Sequence, residues 1–147
     1  MGEFLDLYGR TSKAVRAVSD AAMRRLGLHP GQNHLLAVLW ARDGATPGEI
    51  AAAVNVTTPA VVKMAGRMVD AGLITRRRDD RDNRLVRLWL TDAGRALRAP
   101  VEQERRLIEQ KITEGLTQTE REHLESALEK ILHAANELLD GPPDPAG

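Results

Sequence analysis

The chain contains no cysteine. That single absence excludes disulfides, thiol catalysis, thiolate metal sites and cysteine redox sensing. Aromatic side chains are nearly missing too: two Trp, one Tyr and one Phe among 147 residues. A core must therefore be built from Leu, Val, Ile, Ala and Met. No apolar run approaches the roughly 20 residues of a membrane-spanning helix, and the first residues lack the basic-then-apolar pattern of a secretory leader. Cytoplasmic residence without a membrane partner is the expectation. There is no Gly-rich phosphate loop, nucleophile elbow or catalytic carboxylate pair. The four histidines, His29, His34, His123 and His133, are scattered along the chain. Glu129 and His133 read as a surface pair on one helix face, not as a metal site. Neither an enzyme nor a bound cofactor or metal is expected.

What is present suits one globular domain, with 42% hydrophobic and 29% charged residues. The formal net charge is zero, but the charges are segregated. Residues 63–98 hold ten basic and five acidic side chains, a net of +5. Residues 99–147 hold five basic and eleven acidic, a net of −6. A basic central third is the electrostatic footprint of a polyanion-binding surface.

Periodicity supplies the elements. Phe4, Leu7, Thr11, Val15, Val18, Ala22 and Leu26 recur at helical spacing, and Gly27 and Pro30 end that run. In "PGQNHLLAVLWARDG" Leu35, Leu36, Leu39 and Trp40 form one face, with Gly44 expected to close the helix. "TPGEIAAAV" has Thr46 as cap, Pro47 at the first helical position and Glu49 in capping-box position. After Asn55, "TTPAVVKMAGRMVDAGL" starts again on threonines and Pro59. Val61, Met64, Met68 and Ala71 make its expected buried stripe, and Gly72 its C-terminal cap. Two short helices joined so tightly form a helix-turn-helix.

The period then shortens. "LITRRR" and "RLVRLWL", joined by "DDRDN", read as a β-hairpin in which Val86, Leu88 and Leu90 alternate with Arg87 and Trp89. Thr91 and Asp92 cap a further helix carrying Leu97, Val101, Ile108 and Ile112, kinked or started at Pro100. A last helix places Leu124, Leu128, Ile131, Ala135 and Leu138 at coiled-coil spacing. The expected fold class is mainly α: a winged helix-turn-helix lobe with a two-stranded wing, flanked by N- and C-terminal helices that form a dimerisation platform. The expected boundaries are one domain over 1–140, with the lobe at 30–95, helical dimerisation regions at 1–28 and 96–140, and a disordered tail at 141–147.

These motifs resemble the MarR family of transcriptional regulators. "DNRLVRLWLT" fits the family's Asp-x-Arg-five-residues-Leu-Thr wing signature at Asp82, Arg84, Leu90 and Thr91, with Gly94 following. "TPGEIAAAVNVTTPAVVKMAGRMVDAGLITRR" is similar to the family's helix-turn-helix, and the likeness extends over roughly residues 3–140. It implies a homodimer, binding to double-stranded DNA at a pseudo-palindromic operator, and often release by a small aromatic or other organic effector. Val62 stands where a polar residue is common in the family, so base preference does not carry over.

The side chains fit such a reading. In a major groove, Thr57 and Thr58 can hydrogen-bond, Pro59 and Val62 can touch thymine methyls, and Lys63 and Arg67 can reach phosphates or guanine. Thr57, Thr58 and Pro59 also suffice as helix caps, and Lys63 and Arg67 as a solvated face. In the wing, Arg84 supported by Asp82 is the family's candidate for a narrow minor groove, with Arg81 second. Arg76, Arg77 and Arg78 alternate across a strand, so at most two, taken here as Arg76 and Arg78, share one phosphate run. Exposed ion pairs add too little stability to explain so Arg-rich a hairpin. For an effector, the resemblance implies a pocket that Arg10, Arg16, His34 and Trp40 could line. Trp40 reads equally as core, and Arg16 as a surface or interface pair. The chief alternative is a winged helix serving protein interaction or dimerisation without DNA.

Overall fold

The computed structural model describes residues 2–141, so all of the expected tail beyond Gly141 lies outside the described residues. The helices are α1 (Glu3–Arg25), α2 (Gln32–Ala41), α3 (Pro47–Val54), α4 (Thr58–Asp70), α5 (Asp92–Ala96), α6 (Arg98–Thr113) and α7 (Gln118–Asp140). Strands β1 (Ile74–Arg78) and β2 (Val86–Leu90) intervene between α4 and α5. The chain divides into two compact units, residues 1–108 and 109–147. The first carries the winged helix-turn-helix, around a core that includes Leu36, Leu39, Ile50, Met68, Ile74 and Leu88.

Only the last turn of α1 enters that core, through Ala22 and Met23. Phe4, Leu7 and Val18, on the apolar stripe of the same helix, are exposed. Gly27, at φ +81°, ends the helix because only glycine adopts that conformation freely. In α2 the leucines are buried as expected, but the helix stops at Ala41 and Gly44 does not close it. Gly44 instead takes φ +82° beneath Trp89, where a Cβ would lie 2.5 Å from the indole.

The helix-turn-helix forms from its caps. The Thr46 hydroxyl accepts the Glu49 N–H at 3.1 Å, and Thr57 accepts that of Ala60 at 3.3 Å. Each such cap contributes about 1 kcal/mol. The return half of the first capping box is not made, because the Glu49 carboxylate turns to Arg42 and Arg87. Asn55, at φ 57° and ψ 49°, makes the turn between the helices. Val61, Ala65 and Met68 are the buried residues of α4. Ala71 is exposed, correcting the expected stripe: it caps the helix, where the 3.6-residue period has ended. Past it, Leu73 N–H donates to Met68 and Gly72 N–H to Val69, the paired bonds of a Schellman end.

β1 and β2 pair antiparallel with Ile74 opposite Leu90, Arg76 opposite Leu88 and Arg78 opposite Val86. These share one face; Thr75, Trp89, Arg77 and Arg87 share the other. The outer edge of β2 is covered by the α2–α3 connection. Gly44 N–H donates to Leu88 O at 3.0 Å, Leu88 N–H to Ala45 O at 2.9 Å, and Leu90 N–H to the Asp43 carboxylate at 2.9 Å. Arg84 and Leu85, expected in the strand, belong to the loop, since Leu85 N–H turns back to Asp82 O. Thr91 then starts α5, and Pro100 sits in the first turn of α6.

In the second unit, Thr117 and Glu120 form a complete capping box at the start of α7. None of the described α7 residues is buried, and Leu124, Leu128, Leu132 and Leu138 are exposed.

Two glycine substitutions should separate close approach from flexibility. A Cβ on Gly94 would lie 2.2 Å from Leu73 O, whereas one on Gly48 meets only the Thr46 hydroxyl at 3.9 Å. Gly94→Ala is expected to destabilise by about 1–3 kcal/mol and Gly48→Ala to be neutral or stabilising by up to about 1 kcal/mol. Thermal denaturation of both variants checks it; equal melting temperatures would contradict the reading.

Candidate nucleic-acid interface

Helix α4 buries one side and leaves Thr58, Val62, Lys63 and Arg67 on the other, all exposed. Thr57 and Pro59 fix where this helix begins. The Thr57 oxygen is occupied as a cap acceptor, which leaves its hydrogen able to donate outward. The exposed row thus combines hydroxyls at the positive end of the helix dipole with two cations further along.

The wing directs its charges by a set of short bonds. Arg84 Nε donates to Asp82 Oδ1 at 3.0 Å and Nη2 to Oδ2 at 3.2 Å. The Arg84 backbone N–H donates to the same Asp82 carboxylate at 3.1 Å. Side-chain exposure remains 90% for Arg84 against 34% for Asp82, so the fork is aimed without being buried. The guanidinium of Arg84, then its backbone N–H, hold the Asp82 carboxyl below the usual carboxylate range. Arg81 stands exposed at the tip, its backbone N–H bound to Asp79. Arg78 donates to Asn83 O at 3.2 Å and so helps close the loop.

The structure divides the three successive arginines as strand alternation requires. Arg76 and Arg78 lie on one face of the hairpin. Arg76 borders a recess of about 120 Å³ with Val62 and Ala65 of α4 and with Pro47, Val86 and Leu88. Arg77 lies on the opposite face, its guanidinium 4.8 Å from the centroid of a Trp89 ring.

Two residues of the wing escaped the sequence analysis as candidates. Arg87 Nε donates to Asp79 Oδ1 at 2.7 Å, and its Nη1 donates to Gly44 O at 3.0 Å. Glu49 stands 3.9 Å from the same nitrogen and also pairs with Arg42. Asp79 accepts, besides Arg87, the backbone N–H groups of Arg81 and Asp82. The Arg87 hydrogen bond leads the causes that lower the Asp79 pKa, and Asp79 in turn raises that of Arg87. The only available signal was an arginine in the outward row of a strand, eight positions from an aspartate across the hairpin.

The candidate effector residues are not gathered in one place. Arg10 and Arg16 are exposed on α1. His34 borders a recess of about 70 Å³ whose lining (Gly31, Leu35, Ile50, Val54, Val56, Val61 and Met64) includes neither arginine nor Trp40. Trp40 packs on the core and donates its indole N–H to Gly94 O at 2.9 Å. His133 pairs with Glu137 at 3.2 Å on the surface, rather than with Glu129. Among the described residues no three His, Cys, Asp or Glu are grouped to hold a metal ion, and no helix is long and apolar enough to cross a membrane.

The depressed carboxyls set a pH window. A folded-state pKa below the unfolded value gives stability that is present above the ordinary aspartate range and lost as pH falls through the folded value. The loop should therefore stay ordered through pH of about 3.9 and loosen only below it. In an NMR titration Arg84→Ala should move the Asp82 carboxyl back towards its ordinary value while Asp79 stays depressed. An unmoved Asp82 would refute the brace.

The MarR family model matches residues 28–86, which span the helix-turn-helix and the first half of the wing. The MepR–DNA complex of S. aureus is 26% identical, covers 89% of this chain and 97% of its own, and superposes with a TM-score of 0.81. Wild-type MarR from E. coli in its apo form is 25% identical, over 86% of this chain and 94% of its own, at a TM-score of 0.74. A mutant MarR from E. coli complexed with operator DNA is 25% identical, over 89% and 96% respectively, at 0.77. No curated relative matches by sequence. The family match lies on the helix-turn-helix and the first half of the wing, and the fold of MarR-family regulators is shared along most of the chain.

Proposed function

We propose that the protein is a homodimeric, sequence-specific duplex-DNA-binding regulator, a ligand-responsive repressor that reads a pseudo-palindromic operator. The observation that carries the reading is the pairing of two differently shaped basic features in one unit. The exposed row of α4 (Thr57, Thr58, Pro59, Val62, Lys63 and Arg67) suits a major groove. The wing, with Arg84 held by Asp82 and flanked by Arg81, Arg76 and Arg78, suits the flanking minor groove and its phosphates. MepR and MarR, both similar to this chain, have been solved with DNA and with operator DNA respectively.

A homodimer is supported by apolar side chains that the single chain leaves bare. Phe4, Leu5 and Leu7 on α1 are more than half exposed, as are Leu132, Leu138 and Leu139 on α7. Covering such surface with a second copy yields roughly 25 cal/mol per Å² buried. Two-fold symmetry then sets half-sites about 10 bp apart. The lobe is expected over 30–95, with 1–28 and 96–140 as the dimerisation regions. An effector, a small aromatic or other organic molecule, would act through a coupling of about 1–3 kcal/mol between ligand and DNA. Among the four effector candidates, His34 already borders a recess, while the indole N–H of Trp40 is committed to Gly94. Residence in the cytoplasm follows from the DNA partner.

Selection of bound duplexes from a random pool, then titration in salt, tests the proposal. Binding should be specific and two-fold symmetric, with log K falling steeply against log salt. Absence of duplex binding at low salt would leave the interaction module as the better description. Arg84→Ala should weaken operator binding by about 1–3 kcal/mol with dimer and helicity unchanged; a monomeric variant would instead make Arg84 structural. Competition with aromatic acids tests the effector.

A further inference from the structure

Arg87 is the one wing arginine whose guanidinium is turned inward: it bonds Asp79 on one side and Gly44 O on the other, with Glu49 nearby. Its side chain is 28% exposed, against 90% for Arg84. Asp79 is also the residue that organises the loop tip, since its other oxygen takes the N–H groups of Arg81 and Asp82. Asp82 is in turn the brace of Arg84. One chain of bonds therefore runs from the α2–α3 connection, through Arg87 and Asp79, to the exposed fork of Arg84. The same connection pairs with β2 through Gly44 and Ala45, so the anchor at its root is backbone and not a mobile side chain.

We infer that Arg87 is a positioning residue for DNA recognition, which acts without touching DNA by holding the loop that aims Arg84. The inference rests on the wing-in-groove reading given above. Its guanidinium faces two carboxylates and a carbonyl, and it lies on the opposite face of the hairpin from Arg76 and the recess beside α4. An arginine so neutralised adds little to the field at the DNA, yet the direction of the wing tip depends on it. A lysine could keep the charge but not both directed bonds, because the fork geometry belongs to guanidinium.

The test is a mutant cycle on two duplexes: the selected operator, and the same operator trimmed of the flanking base pairs that the wing would reach. Arg84→Ala, Arg87→Met and the double variant are compared with the parent protein, each first checked for an unchanged melting profile and dimer. On the full operator Arg87→Met should lose about tenfold in affinity, within the range that one coupled network commands. On the trimmed duplex the loss should vanish, and the double variant should bind the full operator no worse than Arg84→Ala alone. Losses that simply add, or that persist on the trimmed duplex, overturn the inference, because a merely structural arginine would weaken both duplexes alike. If Arg84→Ala itself fails to distinguish the duplexes, the wing-in-groove reading is what fails. Should Arg87→Met not fold, Arg87→Lys and Asp79→Asn replace it, and the same coupling to Arg84 is expected of each.

Discussion

The relation of α4 to the wing is set at one hydroxyl. The Thr91 side chain lies 2.7 Å from Gly72 O and 2.9 Å from Leu73 O, where α4 has just ended and β1 begins. The same oxygen accepts the Gly94 N–H that starts α5, and the Thr91 backbone N–H also donates to Leu73 O. One residue thus ties the end of α4, the root of both strands and the first turn of the following helix. Gly94 is the partner constraint, since any Cβ there would collide with Leu73 O. Thr and Gly at these two positions of the wing signature have a packing cause, separate from any contact with DNA.

Around that junction the arginines of the hairpin are divided by direction. Arg77 is spent on Trp89 and Arg87 on Asp79 and Gly44, both on one face. Arg76 faces the recess beside α4, and Arg84 is left outward. Exposed ion pairs contribute little to stability, so the aspartates matter chiefly for geometry. A guanidinium already aimed loses less conformational freedom when it meets an anionic partner than one that must be ordered on arrival. Asp82 therefore costs some attraction for any anionic partner and returns direction.

Much of this was legible in the sequence, and the limits have physical causes. The caps at Thr46, Thr57 and Thr91 and the strand alternation follow from local rules, so their positions were readable. The Asp82–Arg84 brace is two residues long and was equally visible. Gly44 was misread because a glycine after a helix looks like its cap; its real constraint is Trp89, far away in sequence. Arg87 was passed over for the same reason, since Gly44 lies 43 positions away. Arg84 and Leu85 were placed in the strand because alternation cannot see a carboxylate that holds the loop open. The four effector candidates were chosen by resemblance, and shared helices do not bring side chains to one cavity.

Zero net charge is no obstacle to binding a polyanion, because what the duplex feels is local. Fields are screened over about 8 Å at physiological salt, so a charge more than that distance from the contact contributes little. The +5 of residues 63–98 lies in the segment that holds most of α4 and the whole wing. The −6 of residues 99–147 lies in the segment that holds α7 and nearly all of α6. Such a distribution favours approach through the basic segment, and it penalises non-specific adsorption through the acidic one. The same segregation keeps the bare apolar side chains of α7 among acidic neighbours, which selects against their use as a DNA or membrane surface.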